Sequence, residues 1–238
     1  MSEPYLLLWL EAPLQAWGHD SKFGRRDSLD FPTKSGVLGL LCCALGAGGK
    51  QTEWLAQWAD SDLVVEAYVR QGKEGEPVTR EPLLRDFHMV GSGYDDQNPW
   101  QSLLIPKTSD GKKSVGGGAK MTYRYYLQDM AYAVALQGSQ AELETLAEAL
   151  RNPVWNLYLG RKNCVPTEFI YQGIYPNLEA ALNQAQQIAA SEDKKRTAIF
   201  KVLQGEHEGE VITLNDLPIQ FGEHKLYRDR RVTVIPKE

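Results

Sequence analysis

The sequence predicts an α+β fold in which residues 5–171 form a ferredoxin-like unit of the order β-α-β-β-α-β. Near-continuous apolar segments at Tyr5–Leu10 and Leu63–Arg70 are typical of buried strands. Apolar residues at helical spacing fill residues 37–45, and the same spacing returns in residues 140–150. This alternation of strands and helices along one segment is the basis of the fold prediction.

The first helix is predicted to follow the segment Phe31–Ser35 and to end at Gly46, because glycine is common just beyond helix C-termini. Its apolar positions follow the spacing i, i+3, i+4, i+7 and i+8, and they are Val37, Leu38, Leu40, Leu41, Ala44 and Leu45. A short helix is predicted over Thr52–Ala59, where three large apolar residues share one face. These helices lead to the strand at Leu63–Arg70.

The chain returns to regular structure with a predicted strand at Met130–Leu136. Ser139 and Glu142 have the spacing of a capping box, in which each side chain bonds the backbone N–H of the other residue. A helix is therefore predicted over residues 140–150, with its apolar stripe facing the core.

Residues 172–238 are predicted to form a smaller C-terminal element that consists of a helix and β strands. The helix spans Asn177–Ala190. The segments Ala198–Leu203 and Val211–Leu214 are expected to be strands that pair with each other across an acidic turn, and the basic tail at residues 225–236 is strand-like.

A long insertion interrupts the unit between about residues 85 and 124. Glycines and prolines, including the run Gly116–Gly118, break every regular spacing of apolar residues within it. Residues 107–124 contain five basic residues against one acid, Asp110, and the basic residues are Lys107, Lys112, Lys113, Lys120 and Arg124. A loop of this length in a compact domain is usually functional or disordered.

The composition, with 42% hydrophobic and 24% charged residues among 238, is that of a globular protein and excludes a fibrous or disordered one. A net charge of −5 excludes a uniformly basic nucleic-acid coat. No apolar segment approaches the roughly 18 residues of a membrane span and no signal peptide is evident, so we expect a cytoplasmic protein without membrane contact. The three cysteines lack metal-ligand spacing and no nucleotide-binding glycine motif occurs, so neither a metal nor another cofactor is expected.

The positive charge is gathered in clusters beside glycines, whereas acids concentrate in residues 177–223. Arg25, Arg26 and Lys34 surround the start of the first helix, whose free N–H groups at residues 34–36 are expected to bind a phosphate. Aromatic residues lie near these clusters, and they are Trp17, Phe23, Tyr123 and Tyr125. The combination suits single-stranded nucleic acid, in which charge follows the backbone and rings stack on bases. Solvated surface charge is an equally acceptable interpretation of the composition.

Catalysis is a second hypothesis, because a metal-independent ribonuclease needs a general base, a general acid and a cation. His88, Tyr125 and Lys120 supply these residue types. Their spacing does not show that they converge, and a structural role is the favoured interpretation of His88.

Four motifs occur in a fixed order along the chain: Ala12–Gly18 (APLQAWG), Phe31–Leu41 (FPTKSGVLGLL), Arg85–His88 (RDFH) and Tyr158–Cys164 (YLGRKNC). Together they resemble the CasD subunits of type I-E CRISPR Cascade complexes, which are members of the RAMP superfamily. The resemblance covers most of residues 4–171. It implies an RRM-related, ferredoxin-like domain with an inserted β-hairpin thumb at about 85–124 and a small C-terminal β-rich element at 172–238.

The resemblance also implies a function in antiviral defence as part of a ribonucleoprotein complex. Such a subunit caps the 5′ handle of the crRNA, its thumb contacts the CasC backbone subunit, and the large subunit CasA docks beside it. Target DNA is met indirectly, through the complex.

Carried onto this chain, the resemblance together with the charge clusters gives two sets of candidate residues. The expected RNA-binding residues are Gln15, Trp17, Arg25, Arg26, Lys34, Ser35, Arg85, His88, Lys120, Arg124, Arg161 and Lys162. The expected partner contacts of the thumb are Lys107, Lys112 and Lys113.

The family leaves catalysis open. In type I-E complexes a separate subunit, CasE, cleaves the precursor RNA, whereas in the related I-C subtype the equivalent protein is itself the ribonuclease. The closer match of the motifs to the I-E form favours a non-catalytic subunit. The alternative is a metal-independent endoribonuclease that uses His88, Lys120 and Tyr125.

Overall fold

Seven strands form one sheet in which every hydrogen-bonded pair is antiparallel. The computed structural model describes residues 3–19, 21, 24–90, 108, 110–112 and 120–237. The strands of this sheet are β1 (Tyr5–Glu11), β4 (Leu63–Arg70), β7 (Ala131–Gln137), β8 (Tyr171–Tyr175), β9 (Arg196–Gln204), β10 (Glu210–Gln220) and β11 (Leu226–Pro236). Their order across the sheet is β10-β11-β9-β4-β7-β1-β8.

Helices cover both faces of the sheet, so β1 is buried on both sides. The helices are α1 (Lys34–Leu45), α2 (Thr52–Gln57), α3 (Gln140–Arg151) and α4 (Leu178–Ala190). Leu6 and Leu8 of β1 pack in the main core together with α1 and α3. Leu7 and Trp9 point the other way, where Trp9 packs in a cluster with α4. Successive side chains of a strand face opposite sides, and a strand that is apolar at every position therefore suits a central place.

The helix ends follow the local sequence. The Thr33 hydroxyl accepts a hydrogen bond of 3.1 Å from the Gly36 N–H, and Gly46 ends α1 in the left-handed conformation at φ 68°. Ser139 and Glu142 form the predicted capping box at the start of α3. The predictions for Gly46 and for the Ser139–Glu142 capping box are confirmed, whereas the Thr33 cap was not predicted; all three features depend on residues within a few positions of one another.

The C-terminal strands do not pair as predicted. β9 and β10 are separated by β11, which is hydrogen-bonded to both of them. Val232 and Thr233, which are fully buried, place the middle of β11 inside the sheet, so the long tail strand replaces the direct pairing across the acidic turn. β9 also pairs with β4, and residues 172–238 therefore share a sheet with the first part of the chain.

A second, small sheet contains the two ends of the segment that the sequence predicts as an insertion. β5 (Leu84–Val90) and β6 (Lys120–Gln128) pair as an antiparallel ribbon, and β6 also pairs with the short strands β2 (Leu14–Gln15) and β3 (Arg25–Arg26). Lys107, Lys113 and most of the residues between β5 and β6 lie outside the described residues. Within the described part of the chain, no helix has both the length and the apolar character needed to cross a membrane.

Candidate nucleic-acid interface

The β5–β6 ribbon has two chemically different faces. The register pairs Phe87 with Tyr123 and His88 with Thr122, so odd- and even-numbered residues of the ribbon lie on opposite sides. Asp86, His88 and Arg124 lie on one face, where they meet the loop that follows α3. We call this surface the basic depression; it has a volume of about 540 Å³ and is lined by Asp86, His88, Arg124, Tyr126, Tyr158, Gly160, Arg161, Lys162 and Asn163.

Four residues that the sequence predicts for RNA binding meet in the basic depression, and they are His88, Arg124, Arg161 and Lys162. The His88 Nδ1 lies 4.0 Å from the Asp86 carboxylate, and each of these side chains is 43% exposed. Arg124 donates to the Thr122 hydroxyl at 3.3 Å, and Lys162 is exposed. Among the residues that the structure describes, neither Arg124 nor Lys162 has a carboxylate within ion-pair distance, so both charges are available to a ligand.

Arg161 lies in the basic depression but is engaged by the protein itself. Its guanidinium donates to the backbone carbonyls of Tyr125 at 3.0 Å and Arg26 at 2.8 Å, and it stacks on the Tyr126 ring at 4.5 Å. The guanidinium therefore ties its loop to β3 and β6. Gly160 beside it has φ 91°, and a Cβ there would lie 1.7 Å from the Ala16 carbonyl oxygen, so only glycine allows this close packing.

Two predicted RNA contacts are buried. Gln15 is 0% and Trp17 is 1% exposed. The Gln15 amide donates to the carbonyls of Leu10 and Met130 at 3.1 and 2.7 Å, and its oxygen accepts from the Trp17 indole at 3.1 Å. Their polar atoms are satisfied inside the protein, so in this structure they support β2 and are not available to a ligand.

The start of α1 also differs from the prediction of a phosphate site. The Lys34 N–H donates to the Asp216 carboxylate at 2.8 Å, and Asp216 is in turn paired with Arg230 at 2.7 Å. The Gly36 N–H donates a hydrogen bond to the Thr33 hydroxyl. A carboxylate of the protein thus occupies the position at which the sequence predicts a phosphate, because a helix N-terminus attracts any anion that the fold brings to it.

Lys34 itself points into the protein and is 0% exposed. Its ammonium group donates to the carbonyls of Ala59 at 2.9 Å and Ser61 at 2.7 Å. Burial, and next the nearby charge of Arg230, lower the pKa of Lys34 to about 8. Ser35 remains partly exposed, with its hydroxyl 3.3 Å from that of Thr33.

The other face of the ribbon, which we call the aromatic face, carries Phe87, Met89, Met121, Tyr123 and Tyr125. The first four side chains are each about half exposed, and the rings of Phe87 and Tyr123 lie 5.4 Å apart. Arg85 lies over the Tyr123 ring at 5.7 Å, and Arg25 lies over the Tyr125 ring at 4.8 Å. Tyr125 is therefore on the opposite side of the ribbon from His88, and the structure does not bring these two candidate catalytic residues together.

The remaining predicted residues add little to either face. Arg26 is partly exposed, and its carbonyl receives the bond from Arg161. Lys112 is exposed and lies 3.4 Å from Asp110. Lys120 opens β6 opposite Val90. No three His, Cys, Asp or Glu side chains of the described residues gather as a metal site would require.

A second concave surface was not predicted from the sequence. This α1 groove, of about 520 Å³, runs along α1 and shares Tyr158 and Gly160 with the basic depression. Its walls include Trp155, Tyr158, Phe221, Lys225 and Tyr227, and its floor includes Gly36 and Gly39 of α1. The glycines of α1 were a usable signal, because a glycine inside a helix costs about 1 kcal/mol relative to alanine and calls for a reason.

Comparison with known proteins gives one family. Residues 5–233 match the family described as CRISPR-associated protein (Cas_Cas5). The chain is 32% identical over 174 residues to the CRISPR system Cascade subunit CasD of Escherichia coli (strain K12), which covers 71% of this chain and 70% of that protein. A chain of a CRISPR RNA-guided surveillance complex superposes with a TM-score of 0.69 at 27% identity, covering 98% of this chain and 90% of the other. A structure titled as a Cas protein gives a TM-score of 0.59 at 30% identity, with coverage of 98% and 96%.

Proposed function

The chain belongs to the Cas5 family of CRISPR-associated proteins, and we propose that it is the crRNA-binding subunit of a type I-E Cascade complex that caps the 5′ handle of the crRNA. The observation that carries this proposal is the basic depression, where β5, β6 and the loop after α3 bring His88, Arg124 and Lys162 onto one concave surface. A grip on one short RNA end requires local positive charge, and the rest of the surface can be acidic.

Within this proposal the residues of the basic depression have different tasks. Arg124 and Lys162 contact phosphates, because their charges are free of carboxylate partners among the described residues. His88 supplies a hydrogen bond. Arg161 is a positioning residue, since both of its donating nitrogens hold backbone carbonyls. Arg26 of β3 lies beside this surface, since its carbonyl receives the bond from Arg161, whereas Arg25 lies over Tyr125 on the aromatic face; both are proposed as further contacts to the handle.

We further infer that the β1-α1-β4-β7-α3-β8 part of the chain is the ferredoxin-like domain of the family. Its strand order β4-β7-β1-β8, with α1 and α3 on one face, supports this assignment. The β5–β6 ribbon is proposed as the base of the thumb. The proposed division at residue 171 falls at the first residue of β8, and the sheet continues across it through β9 into the C-terminal strands.

The subunit is proposed to hold RNA without cleaving it. Proton transfer in a ribonuclease needs an acid and a base that reach the same bond, and Tyr125 lies on the other side of the ribbon from His88. Labelled repeat RNA incubated with the purified protein in EDTA is therefore expected to stay intact. Specific cleavage that disappears in His88→Ala would establish the endoribonuclease alternative instead.

The aromatic face is proposed to contact the neighbouring CasC backbone subunit, with the large subunit CasA docking nearby. Aromatic residues, methionine and arginine are enriched in the cores of protein interfaces, and this face consists of these types. Phe87→Ser combined with Met121→Ser is expected to abolish co-purification with the backbone subunit and to leave handle affinity unchanged. Loss of handle affinity with intact assembly would assign this face to RNA.

The RNA-binding proposal is tested with Arg124→Ala combined with Lys162→Ala. On a synthetic RNA that begins with the repeat-derived 5′ handle, the double variant is expected to bind at least about 10-fold more weakly at low salt. The slope of log K against log salt is expected to fall by about 1.4, or about 0.7 for each phosphate contact that is lost. Lys73→Ala, an exposed lysine that lines neither concave surface, is the matched control. An unchanged slope in the double variant would reject the basic depression as the RNA site.

A further inference from the structure

Gly39 of α1 is an open position, because no described residue packs where its side chain would lie. A Cβ at Gly36 would lie 2.8 Å from the Trp17 ring, so Gly36 is explained by the close approach of that ring. A Cβ at Gly39 would meet nothing within 4 Å, and its φ does not require glycine. A glycine in a helix interior destabilises the helix by about 1 kcal/mol relative to alanine, and at Gly39 no contact among the described residues compensates for this cost. The open position leaves room for a ligand to approach the α1 backbone closely.

The walls above Gly39 are aromatic and are held in place. Trp155 is 47% exposed, and its backbone N–H donates to the Cys43 carbonyl near the end of α1 at 3.3 Å. The Phe221 N–H donates to the Lys50 carbonyl at 2.9 Å, which fixes the β10–β11 turn to the segment that follows α1. A groove lined by several rings and an open glycine suits a flat aromatic group.

The electrostatics of the α1 groove favour an anionic strand over a peptide. Its lining contains Lys225 and, within the described residues, no Asp or Glu. Burial raises the pKa of the Cys43 thiol, so this side chain brings no negative charge at neutral pH. Through Tyr158 and Gly160 the groove continues into the basic depression, and one strand can therefore lie in both.

We propose that the α1 groove binds one unstacked nucleobase of the RNA strand whose phosphates lie in the basic depression. The base lies against the backbone at Gly39 and contacts the rings of the groove, which include Trp155 and Tyr227, while Lys225 contacts the phosphate attached to it. This inference rests on the proposed function and assigns to the β10–β11 turn a part in recognising the RNA.

The test fills the groove without weakening the helix. Gly39→Leu replaces a poor helix former by a good one at a position with open space, so thermal unfolding is expected at the same or a higher temperature. The variant is expected to bind the handle RNA about 10-fold more weakly. Thr145→Leu, which places the same leucine side chain at an exposed position of α3, is the control and is expected to bind as the wild type does.

An abasic scan identifies the occupant. Removing single bases from the handle RNA is expected to lower wild-type affinity at one position about 10-fold, and to have no further effect there in Gly39→Leu. Tyr227→Ala is expected to weaken binding while Tyr227→Phe restores it, which decides the matter if Gly39→Leu does not fold. If Gly39→Leu binds as the wild type while the Arg124/Lys162 double variant loses affinity, the groove holds no base and the proposed function stands. If no variant changes affinity, the proposed function also fails. Normal RNA binding with lost subunit assembly in Gly39→Leu would assign the groove to a protein.

Discussion

Positive charge gathers at the start of α1 and in the basic depression, and the chain treats the two places differently. At α1 the Asp216 carboxylate receives the Lys34 N–H at 2.8 Å and pairs with Arg230 through two hydrogen bonds of 2.7 and 2.9 Å. In the basic depression Asp86, the one acid among the described lining residues, lies 4.0 Å from His88. The first cluster is therefore closed by a counterion from the protein, and the second remains open to a ligand. The difference teaches that a basic cluster indicates a binding site only when its lysines and arginines are left without a carboxylate partner from the fold.

The largest expected effect comes from opening the closed cluster. Asp216→Ala removes the carboxylate and leaves the Arg230 guanidinium buried without its partner, a change that costs about 3–5 kcal/mol of unfolding free energy. Urea unfolding measures this loss. Glu206→Ala, which breaks the exposed pair with Arg231, is the matched control and is expected to cost less than about 1 kcal/mol. Equal losses in the two variants would show that Asp216 does not hold the C-terminal strands to α1.

The second prediction uses the pH dependence of stability to test whether the Lys34 ammonium group is buried. Burial lowers the pKa of Lys34 to about 8, so between pH 8 and the ordinary value of 10.5 the unfolded chain binds more protons than the folded one. For this group, stability therefore rises with pH across that window, by about 2 kcal/mol from pH 7.5 to 9.5. Urea unfolding at both pH values is expected to show this rise as a difference between the wild type and Lys34→Met. A difference that is the same at both pH values would contradict the burial of the charged amine.

The contrast also explains which parts of the site were accessible from the sequence. The Thr33 and Gly46 ends of α1 and the Ser139–Glu142 capping box depend on neighbouring residues, so their patterns are visible in the chain. Asp216 lies 182 residues after Lys34, and the local sequence gives no indication that its carboxylate accepts a hydrogen bond from the start of α1. The misplaced pairing of β9 and β10 has the same origin, because only the assembled sheet shows that β11 lies between them.

Burial was the second property that the sequence did not reveal. Gln15, Trp17 and Lys34 occur in motifs that resemble an RNA-binding family, yet all three side chains are enclosed by the fold. A motif shows which residue types occur at its positions. It does not distinguish a residue that contacts the ligand from a buried residue that only supports the contacting one. In the α1 groove the reverse holds: Phe221 and Tyr227 line a concave surface, although they lie in a segment where the resemblance is weak.

The smallest expected effect concerns Arg25, an exposed residue whose charge is paired with the Asp27 carboxylate. Arg25 is exposed and donates to the Asp27 carboxylate at 2.7 Å, whereas Lys162 has no such partner among the described residues. Lys162→Ala is therefore expected to weaken handle binding about 5-fold at low salt, and Arg25→Ala less than about 2-fold. Neither change is expected to move the melting temperature, because both side chains project into water.

A double-mutant cycle decides whether Asp27 causes the weak effect of Arg25. If the carboxylate masks the guanidinium, Asp27→Ala alone strengthens handle binding, and Arg25→Ala then costs as much in that background as Lys162→Ala does in the wild type. Filter binding at two salt concentrations measures all four proteins of the cycle. If Arg25→Ala has the same small effect with and without Asp27, the position of Arg25 beside the aromatic face, and not its counterion, keeps it away from the RNA. The rule drawn from α1 would then not extend to exposed pairs, since water already screens an exposed guanidinium and a neighbouring carboxylate changes little.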